Sequence, residues 1–452
     1  MFLIVQKLTN KYRILDSRTK NVVKNTAFSA IMKLALMACS LYMVPLTINY
    51  LNPENYGIWM AMSSILYWIA FFDMGLGNGM RNYMSEAISQ NRLSDARIYF
   101  SSSLVLLSCV ALIMGVVAIP FLTIVDFNHL FNVKSLSNHT LVVTLAIAIG
   151  FSLLQFVVKN IGMAYIALQK YAANDFITFL GGFFSVIAIF LMTKTIEADL
   201  RLVVTAVVAI PPLMFILSSF HLLRKYPFLK PCQKIVNIDF ATKIVSKGLG
   251  FFFIQITSCL IIFGSSNIII SHYCGPTDVT IYNVAYKLFN LLIIVYTILI
   301  SPLWNAYTDA AVKNDYGWIR RIFKKSLLLW VIVTAAGILL LIISPYFFTK
   351  WVGESVKIPF GVSLCVFAYV SLFNLNNCAT YLINGLNKIK VQILTSIVCS
   401  AVFLFSVWLI KGHYGIYGIS LSMCSAYMAM SIIHIYQCRL LILQKAEGIW
   451  NK

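Results

Sequence analysis

The sequence predicts an all-α integral membrane protein of about twelve transmembrane helices, arranged in two six-helix bundles. Three observations carry this prediction. Of the 452 residues, 60% are hydrophobic and only 11% are charged, whereas soluble domains carry about 25% charged residues. Apolar runs of roughly 20 residues, the length that crosses a bilayer, recur from end to end. Lys and Arg gather in every second connection between those runs.

Each apolar run is expected to cross the bilayer as a helix, because a helix satisfies its backbone polar groups internally. The first run follows a polar, basic segment and is too long for a cleavable signal peptide, so we expect it to stay in the membrane. The predicted spans are 26–48, 56–78, 99–125, 140–158, 176–194, 201–221, 248–270, 279–303, 326–346, 359–383, 392–410 and 415–437.

The net charge of +20 comes from 35 Lys and Arg against 15 Asp and Glu. In a soluble protein this excess would suggest nucleic acid. Here 27 of the 35 lie at the termini and after even-numbered spans, six lie in the other connections, and Lys33 and Lys287 lie inside spans. Because cytoplasmic loops retain Lys and Arg, the distribution predicts two cytoplasmic termini and no nucleic-acid partner.

The two halves of the chain resemble each other at an offset of 223 positions. Tyr50 and Pro53 coincide with Tyr273 and Pro276. An offset of six spans gives both halves one orientation, which predicts a pseudo-twofold axis along the membrane normal and a central cavity. The predicted organisation is a cytoplasmic segment 1–25, a bundle 26–221, a basic cytoplasmic linker 222–247, a second bundle 248–437 and a cytoplasmic tail 438–452.

Two lysines stand inside predicted spans, where a charge costs about 2.5–3.5 kcal/mol on insertion scales. Lys33 lies near the cytoplasmic end of its span, from which it can also snorkel to the interface. Lys287 is deeper, and Asn283 and Asn290 share its helix face at i−4 and i+3. This polar stripe predicts a cavity lining, with hydrogen bonding between helices as the alternative.

The second predicted span ends in a glycine-rich stretch. Gly75, Gly77 and Gly79 allow close backbone approach and are predicted to form a flexible helix end. They follow a membrane helix rather than a strand, which excludes a dinucleotide-binding loop. Arg81 is a candidate phosphate ligand, because its planar guanidinium matches paired oxygens. An interfacial topology charge is the alternative role for Arg81.

Three acidic residues near span ends are candidate gate or coupling residues. Asp73 is placed to pair with Arg81 or to carry a coupling proton. Glu86 and Asp309 occupy equivalent positions of the repeat. They are expected either to pair with basic residues across a cytoplasmic gate or to be solvated.

An Asn-Leu-Asn-Asn run interrupts the tenth apolar span, and Asn376 is its candidate substrate contact. Such amides are costly in hydrocarbon without partners, so sugar hydroxyls or neighbouring helices are expected to satisfy them. The ten cysteines are scattered without metal-ligand spacing, which indicates packing rather than disulfides or metal binding. The sequence shows no hydrolytic constellation and no Walker loop, so it predicts no catalysis and no cofactor. An ion gradient, of protons or sodium, or the substrate gradient remains as the driving force.

The most distinctive residues of the first spans are Leu51-Asn-Pro-Glu-Asn-Tyr-Gly-Ile-Trp59, Trp68 and Phe72-Asp-Met-Gly-Leu-Gly-Asn-Gly-Met-Arg-Asn82. They resemble the bacterial O-antigen and polysaccharide repeat-unit flippases of the Wzx type, in the multidrug/oligosaccharidyl-lipid/polysaccharide exporter superfamily. In the second half the resemblance rests on topology. It implies that an undecaprenyl-pyrophosphate-linked oligosaccharide is turned across the bacterial inner membrane, and that two bundles rock to give alternating access.

The resemblance also implies a cationic cavity, which Lys33, Arg81 and Lys287 fit. The expected partners are the lipid-linked oligosaccharide and membrane lipid. A coupling ion and the polysaccharide polymerase machinery are further candidate partners. Three other classes of protein fit the residues less well. A drug or cation exporter of the same superfamily would need acidic residues inside its membrane spans to bind a cation. The first and seventh predicted spans contain no Asp or Glu. A membrane polymerase or ligase would need a large outer loop. A protein that acts only as a scaffold would not need a lysine, such as Lys287, inside a membrane span.

Overall fold

The computed structural model describes residues 17–71, 76–232, 240, 266–410 and 413–451, and across them the chain is helical without strands. The helices are α1 (Ser17–Leu51), α2 (Pro53–Phe71), α3 (Leu76–Ser89), α4 (Leu93–Ile124), α5 (Phe127–Phe131), α6 (Asn138–Ala167), α7 (Tyr171–Thr195), α8 (Leu200–Lys225), α9 (Ser266–Cys274), α10 (Pro276–Ile300), α11 (Leu303–Val312), α12 (Tyr316–Trp351), α13 (Phe360–Gly385), α14 (Lys390–Ile410) and α15 (Gly415–Ile442). Short 3₁₀ turns cover Pro227–Leu229 and Gly448–Asn451.

Ten helices within the described residues are long and apolar enough to cross a bilayer. They match ten of the predicted spans and extend past several of them, because polar turns at the membrane surface continue the helix beyond the apolar run. Predicted span 56–78 corresponds to α2, which covers Pro53–Phe71. Predicted span 248–270 lies mostly outside the described residues.

The chain divides into two compact units. The first unit comprises Met1–Leu46, Asp73–Thr123 and Thr144–Leu249. Its apolar core joins α3, α4, α6 and α8 through side chains such as Met84, Phe100, Ile161 and Phe215. The predicted bundle bounds, 26–221 and 248–437, stay a prediction.

The second unit comprises Thr47–Phe72, Ile124–Val143 and Gly250–Lys452. Its core joins α10, α11, α12, α13 and α15 through buried side chains that include Tyr296, Tyr307, Phe323, Leu382 and Cys438. Two of these are tyrosines whose hydroxyl groups bond Ser326, so polar tips are satisfied inside the apolar core.

The predicted repeat is visible in the helix bounds. Helix α1 ends at Leu51 and α9 ends at Cys274, and α2 and α10 begin at Pro53 and Pro276, so both boundaries recur at the offset of 223 positions. Proline favours the first turn of a helix, because its missing N–H has no partner there and its φ is preset. The same sequence signal therefore starts the second helix of each half.

Left-handed backbone residues recur at the same offset. Asn52 (φ 78°) and Gly275 (φ 100°) separate the first two helices of each half. Asn91 (φ 58°) and Asn314 (φ 56°) lie in the turns before α4 and α12. Asparagine and glycine are the residues that adopt this conformation at least cost. Matching left-handed turns show that the two halves share backbone geometry as well as sequence.

Helices α2 and α10 meet at a contact in which each contributes equivalent residues. A Cβ atom on Gly57 would lie 1.8 Å from the Pro276 carbonyl oxygen. Thr280 Oγ1 donates to the Pro53 carbonyl at 2.6 Å. Gly57 and Thr280 are repeat equivalents, and so are Pro53 and Pro276, so the contact has the reciprocal form of a twofold interface. Glycine is required on one side because the backbones approach closely.

We predict that Gly57→Ala destabilises the protein by about 1–3 kcal/mol, the usual cost of overpacking. The added methyl group meets backbone rather than a movable side chain. Gly150→Ala is the matched control, since nothing lies within 4 Å of its Cβ position in α6. Thermal unfolding in detergent measures both variants, and an equal melting temperature for the two would contradict the close contact.

Candidate substrate path within the membrane

Lys287 is a charged residue in the middle of a membrane helix. It lies on α10, far from either end, and its side chain is half-buried. Within the described part of the chain it forms no hydrogen bond and no ion pair. Because an ammonium group is costly in hydrocarbon, such a side chain needs water or an anionic ligand.

Asn283, one turn before Lys287, is engaged in helix packing. It is 7% exposed, and its Nδ2 donates to Asn267 Oδ1 at 2.8 Å. Asn267 in turn donates to Ser64 Oγ at 3.1 Å and to the Met60 carbonyl at 3.2 Å. This chain of amides joins α10 to α9 and α2. Of the two roles that the stripe left open, Asn283 has the contacts of helix–helix hydrogen bonding.

Asn290, one turn after Lys287, is half-buried and accepts a hydrogen bond from the Tyr286 hydroxyl at 3.3 Å. The Tyr286 ring stacks on Tyr282 at 6.2 Å and contacts Tyr369 of α13 at 6.5 Å between centroids. An ammonium group, an amide and an aromatic ring therefore occur within one turn of α10. These are the groups that recognise a phosphate, a hydroxyl and a sugar ring.

Asn376 is placed away from solvent, on α13. It is 6% exposed, and its Oδ1 lies 2.8 Å from Nδ1 of His434 on α15. The other ring nitrogen of His434 lies 2.8 Å from Thr395 Oγ1 on α14. The amide that the sequence offered to sugar hydroxyls is thus satisfied by a neighbouring helix. His434 was not predicted as its partner, because the two residues are far apart in sequence.

Lys33 meets an acid that the sequence analysis missed. Its Nζ lies 3.6 Å from Asp175 Oδ2 on α7, with the lysine side chain 64% exposed and the aspartate 15% exposed. Asp175 also accepts hydrogen bonds from Ser29 Oγ and from Asn174 Nδ2 at 3.2 Å. The predicted fifth span began at residue 176, which left Asp175 outside it. The signal that could have found it is an acid close to the start of an apolar run, four positions after Tyr171, where the helix begins.

Arg81 lies on α3, in the first unit, and is half-buried. Its Nε and Nη2 lie 3.2 and 3.0 Å from the neighbouring Asn82 Oδ1. Gly77 and Gly79 lie inside α3, and Gly77 is buried. Asp73 and Gly75 lie outside the described residues. Phosphate binding by Arg81 and a flexible helix end stay predictions.

The two repeat-related acids make the same kind of local contact. Glu86 is 58% exposed and lies 3.8 Å from Arg92, while Asp309 is 64% exposed and lies 2.7 Å from Lys313. Each acid therefore pairs with a base four to six positions later in its own half. Exposed pairs of this kind contribute about 0–1 kcal/mol. A role in gating stays a prediction.

No group of three or more His, Cys, Asp or Glu in the described ranges is arranged to hold a metal ion. The cysteines there are free thiols.

These features define a multi-pass integral membrane protein with a helical fold built from two related halves. The family model described as polysaccharide biosynthesis protein matches residues 22–303, which is more than half of the chain. The chain belongs to this polysaccharide biosynthesis family.

Named relatives agree with this assignment. A Salmonella typhi protein named as an O-antigen transporter is 25% identical over 87% of this chain and 90% of its own length. A Yersinia pseudotuberculosis protein named as an O-antigen export protein is 21% identical over 72% and 74%.

The structure resembles an inward-facing multidrug resistance MATE transporter, with a TM-score of 0.72 at 15% identity over 93% of this chain and all of that chain. It also resembles the lipid II flippase MurJ, with a TM-score of 0.64 at 14% identity over 93% of each chain. These likenesses confirm the predicted twelve-helix, two-bundle fold.

We predict that Asp175→Ala lowers stability by about 1–3 kcal/mol, because it leaves the buried Ser29 hydroxyl and the half-buried Asn174 amide without this acceptor. Lys33→Ala is expected to cost only about 0–1 kcal/mol, since the exposed lysine is solvated without its partner. Thermal unfolding in detergent compares the two variants. Equal losses would mean that the ion pair, and not the hydrogen bonds to Asp175, stabilises this site.

Proposed function

We propose that the protein is a flippase that turns a lipid-linked anionic oligosaccharide across the bacterial inner membrane. The observation that carries the proposal is Lys287, a cation that has no partner among the described residues and lies in a polar and aromatic stripe inside a membrane helix. The family, the relatives named for O-antigen transport and the fold shared with a lipid II flippase point to the same substrate class.

The finer form of the proposal assigns an undecaprenyl-pyrophosphate carrier and cytoplasmic termini. A pyrophosphate with attached sugars cannot cross roughly 30 Å of hydrocarbon unaided. Lys287 would offset its charge, while Asn290 and Tyr286 would contact the sugars. The lipid tail would stay in the bilayer. The excess of Lys and Arg in alternate connections supports the orientation.

We further propose that transport uses alternating access. The contacts of α2 and α5 with α9 and α10 would form the outer seal that must open. Besides the amide chain and the reciprocal contact at Gly57, Ser271 Oγ donates to the Phe131 carbonyl at 2.7 Å. His272 Nδ1 lies 3.2 Å from the Leu130 carbonyl oxygen. Solved relatives of this fold exist in inward-facing and outward-facing conformations, which supports a rocking mechanism.

We predict that Lys287→Ala abolishes surface polysaccharide in a deletion strain, because the anionic head group loses its counter-charge. Lys287→Arg keeps the charge and is expected to retain a measurable fraction. Polysaccharide on the cell surface and lipid-linked repeat units inside the cell are measured together. Repeat units are expected to accumulate on the cytoplasmic leaflet in the deletion strain and in Lys287→Ala.

Lys445→Ala is the matched control, since Lys445 is exposed in the C-terminal tail and is expected to be dispensable. Normal polysaccharide in Lys287→Ala, at normal protein level, would remove this residue from the path. Drug resistance that depends on the protein, with normal polysaccharide in the deletion strain, would favour the exporter alternative.

We predict that cross-linking the outer seal blocks transport reversibly. In a background without native cysteines, Ser64→Cys with Asn267→Cys joins α2 to α9 where the native side chains share a hydrogen bond. A reducible thiol cross-linker should stop surface polysaccharide production, and reduction should restore it.

The matched pair is Ser103→Cys with Asn160→Cys, which replaces a bond of the same type between α4 and α6 of one half. Cross-linking this pair should leave transport intact. Continued transport with α2 and α9 fully cross-linked would rule out opening of this seal.

A further inference from the structure

The first turns of α12 carry an exposed, strongly basic face. Arg320, Arg321, Lys324 and Lys325 lie within six positions and are all exposed. None of them forms a hydrogen bond or an ion pair with another residue in the described part of the chain. Four free cations are thus presented together at one end of a membrane helix.

This arrangement is unfavourable unless something else compensates it. Arg320 and Lys324 are four positions apart, and so are Arg321 and Lys325, and like charges at this spacing repel on a helix. The two nearest acids in the sequence are occupied elsewhere. Asp309 pairs with Lys313 at 2.7 Å. Asp315 caps α12, because its Oδ1 accepts a hydrogen bond from Trp318 N at 2.8 Å. Among the described residues no carboxylate neutralises these four cations, so the face is open to an anion from outside the chain.

The direction of the basic face indicates where that anion lies. Further along α12 the same face continues into Leu328, Val331 and Ile332, which are 59, 50 and 56% exposed. The opposite face, with Ile319 and Phe323, is buried. An exposed and purely apolar surface on a membrane helix contacts lipid tails. The four cations therefore lie at the level of the lipid head groups, above the lipid-facing surface.

Membrane topology alone does not account for the cluster, because the equivalent turn of the first half is different. The repeat places Arg97, Ile98, Ser101 and Ser102 at the four positions. That turn is also covered by the chain. Arg97 Nε donates to the Lys230 carbonyl at 2.7 Å, and Ser101 Oγ accepts from Cys232 N at 3.2 Å. The first half therefore has one cation in this turn, which other described residues cover. The second half has four cations in the equivalent turn of α12, and all four are exposed.

We infer that the basic face of α12 (Arg320, Arg321, Lys324 and Lys325) is a binding surface for anionic phospholipid head groups of the cytoplasmic leaflet. Clusters of four or more Lys and Arg beside a membrane helix recognise such lipids. The arginine forks suit phosphate oxygens, and the lysines add point charge. The choice of leaflet rests on the orientation given with the proposed function, whereas the phosphate chemistry does not.

The test counts lipids bound to the purified, delipidated protein by native mass spectrometry. The probes are phosphatidylglycerol, phosphatidylethanolamine and inorganic pyrophosphate. Wild type should retain phosphatidylglycerol over phosphatidylethanolamine, and added salt should reduce the preference. The combined variant Arg320→Gln, Arg321→Gln, Lys324→Gln and Lys325→Gln should lower phosphatidylglycerol affinity by about ten-fold or more. Exchanging the two arginines for lysine should keep most of it.

The control removes four exposed cations that are spread over three other segments, in Lys170→Gln, Arg224→Gln, Lys225→Gln and Lys230→Gln. It should bind phosphatidylglycerol as wild type does. Equal losses in both combined variants, or none in the α12 variant, would overturn the inference. Displacement of phosphatidylglycerol by inorganic pyrophosphate beyond that caused by sodium chloride of equal ionic strength would also overturn it, by indicating a site for soluble anions. Lys287→Ala should bind phosphatidylglycerol as wild type does. Failure of the lipid-binding inference can therefore be told apart from failure of the proposed flippase function.

Discussion

Hydrocarbon offers no partner to a polar group, and this constraint governs where polar side chains occur in the structure. Inside the described helices, several amides and one carboxylate are hydrogen-bonded by other side chains. Asn283 bonds Asn267, Asn376 bonds His434, and Asp175 is held by Ser29 and Asn174. Lys287 departs from this pattern, since it has no partner among the described residues.

The same constraint explains why the two halves are alike in backbone but not in chemistry. The repeat fixes helix starts at Pro53 and Pro276 and left-handed turns at Asn91 and Asn314, because these determine how each half folds. Side chains exposed to water, to lipid head groups or to the substrate do not determine how each half folds, so they can differ between the halves. The stripe at Lys287 and the basic face of α12 both occur in the second half. The Lys33–Asp175 pair occurs in the first.

The sequence was sufficient for ten of the membrane spans, for the family, and for placing Asn283, Lys287 and Asn290 on one helix, α10. Apolar run length and helical periodicity determine these features, and both are local properties. Partners across helices were not predictable. Asn283 was placed with Lys287 because the two share a face, yet its amide turns to Asn267 on α9. Asp175 was missed because its significance comes from Lys33, on another helix. Such pairings depend on where small residues such as Gly57 let helices approach, and periodicity does not encode that.

The central claim is that Lys287 faces a water-filled path rather than lipid or packed protein. The most direct measurement is labelling of Lys287→Cys, in a background without native cysteines, by a membrane-impermeant thiol reagent. Leu339→Cys provides the comparison, because Leu339 is 63% exposed on the apolar face of α12. The account predicts labelling at position 287 and none at 339. A thiol at 287 that is as unreactive as the one at 339 would contradict it.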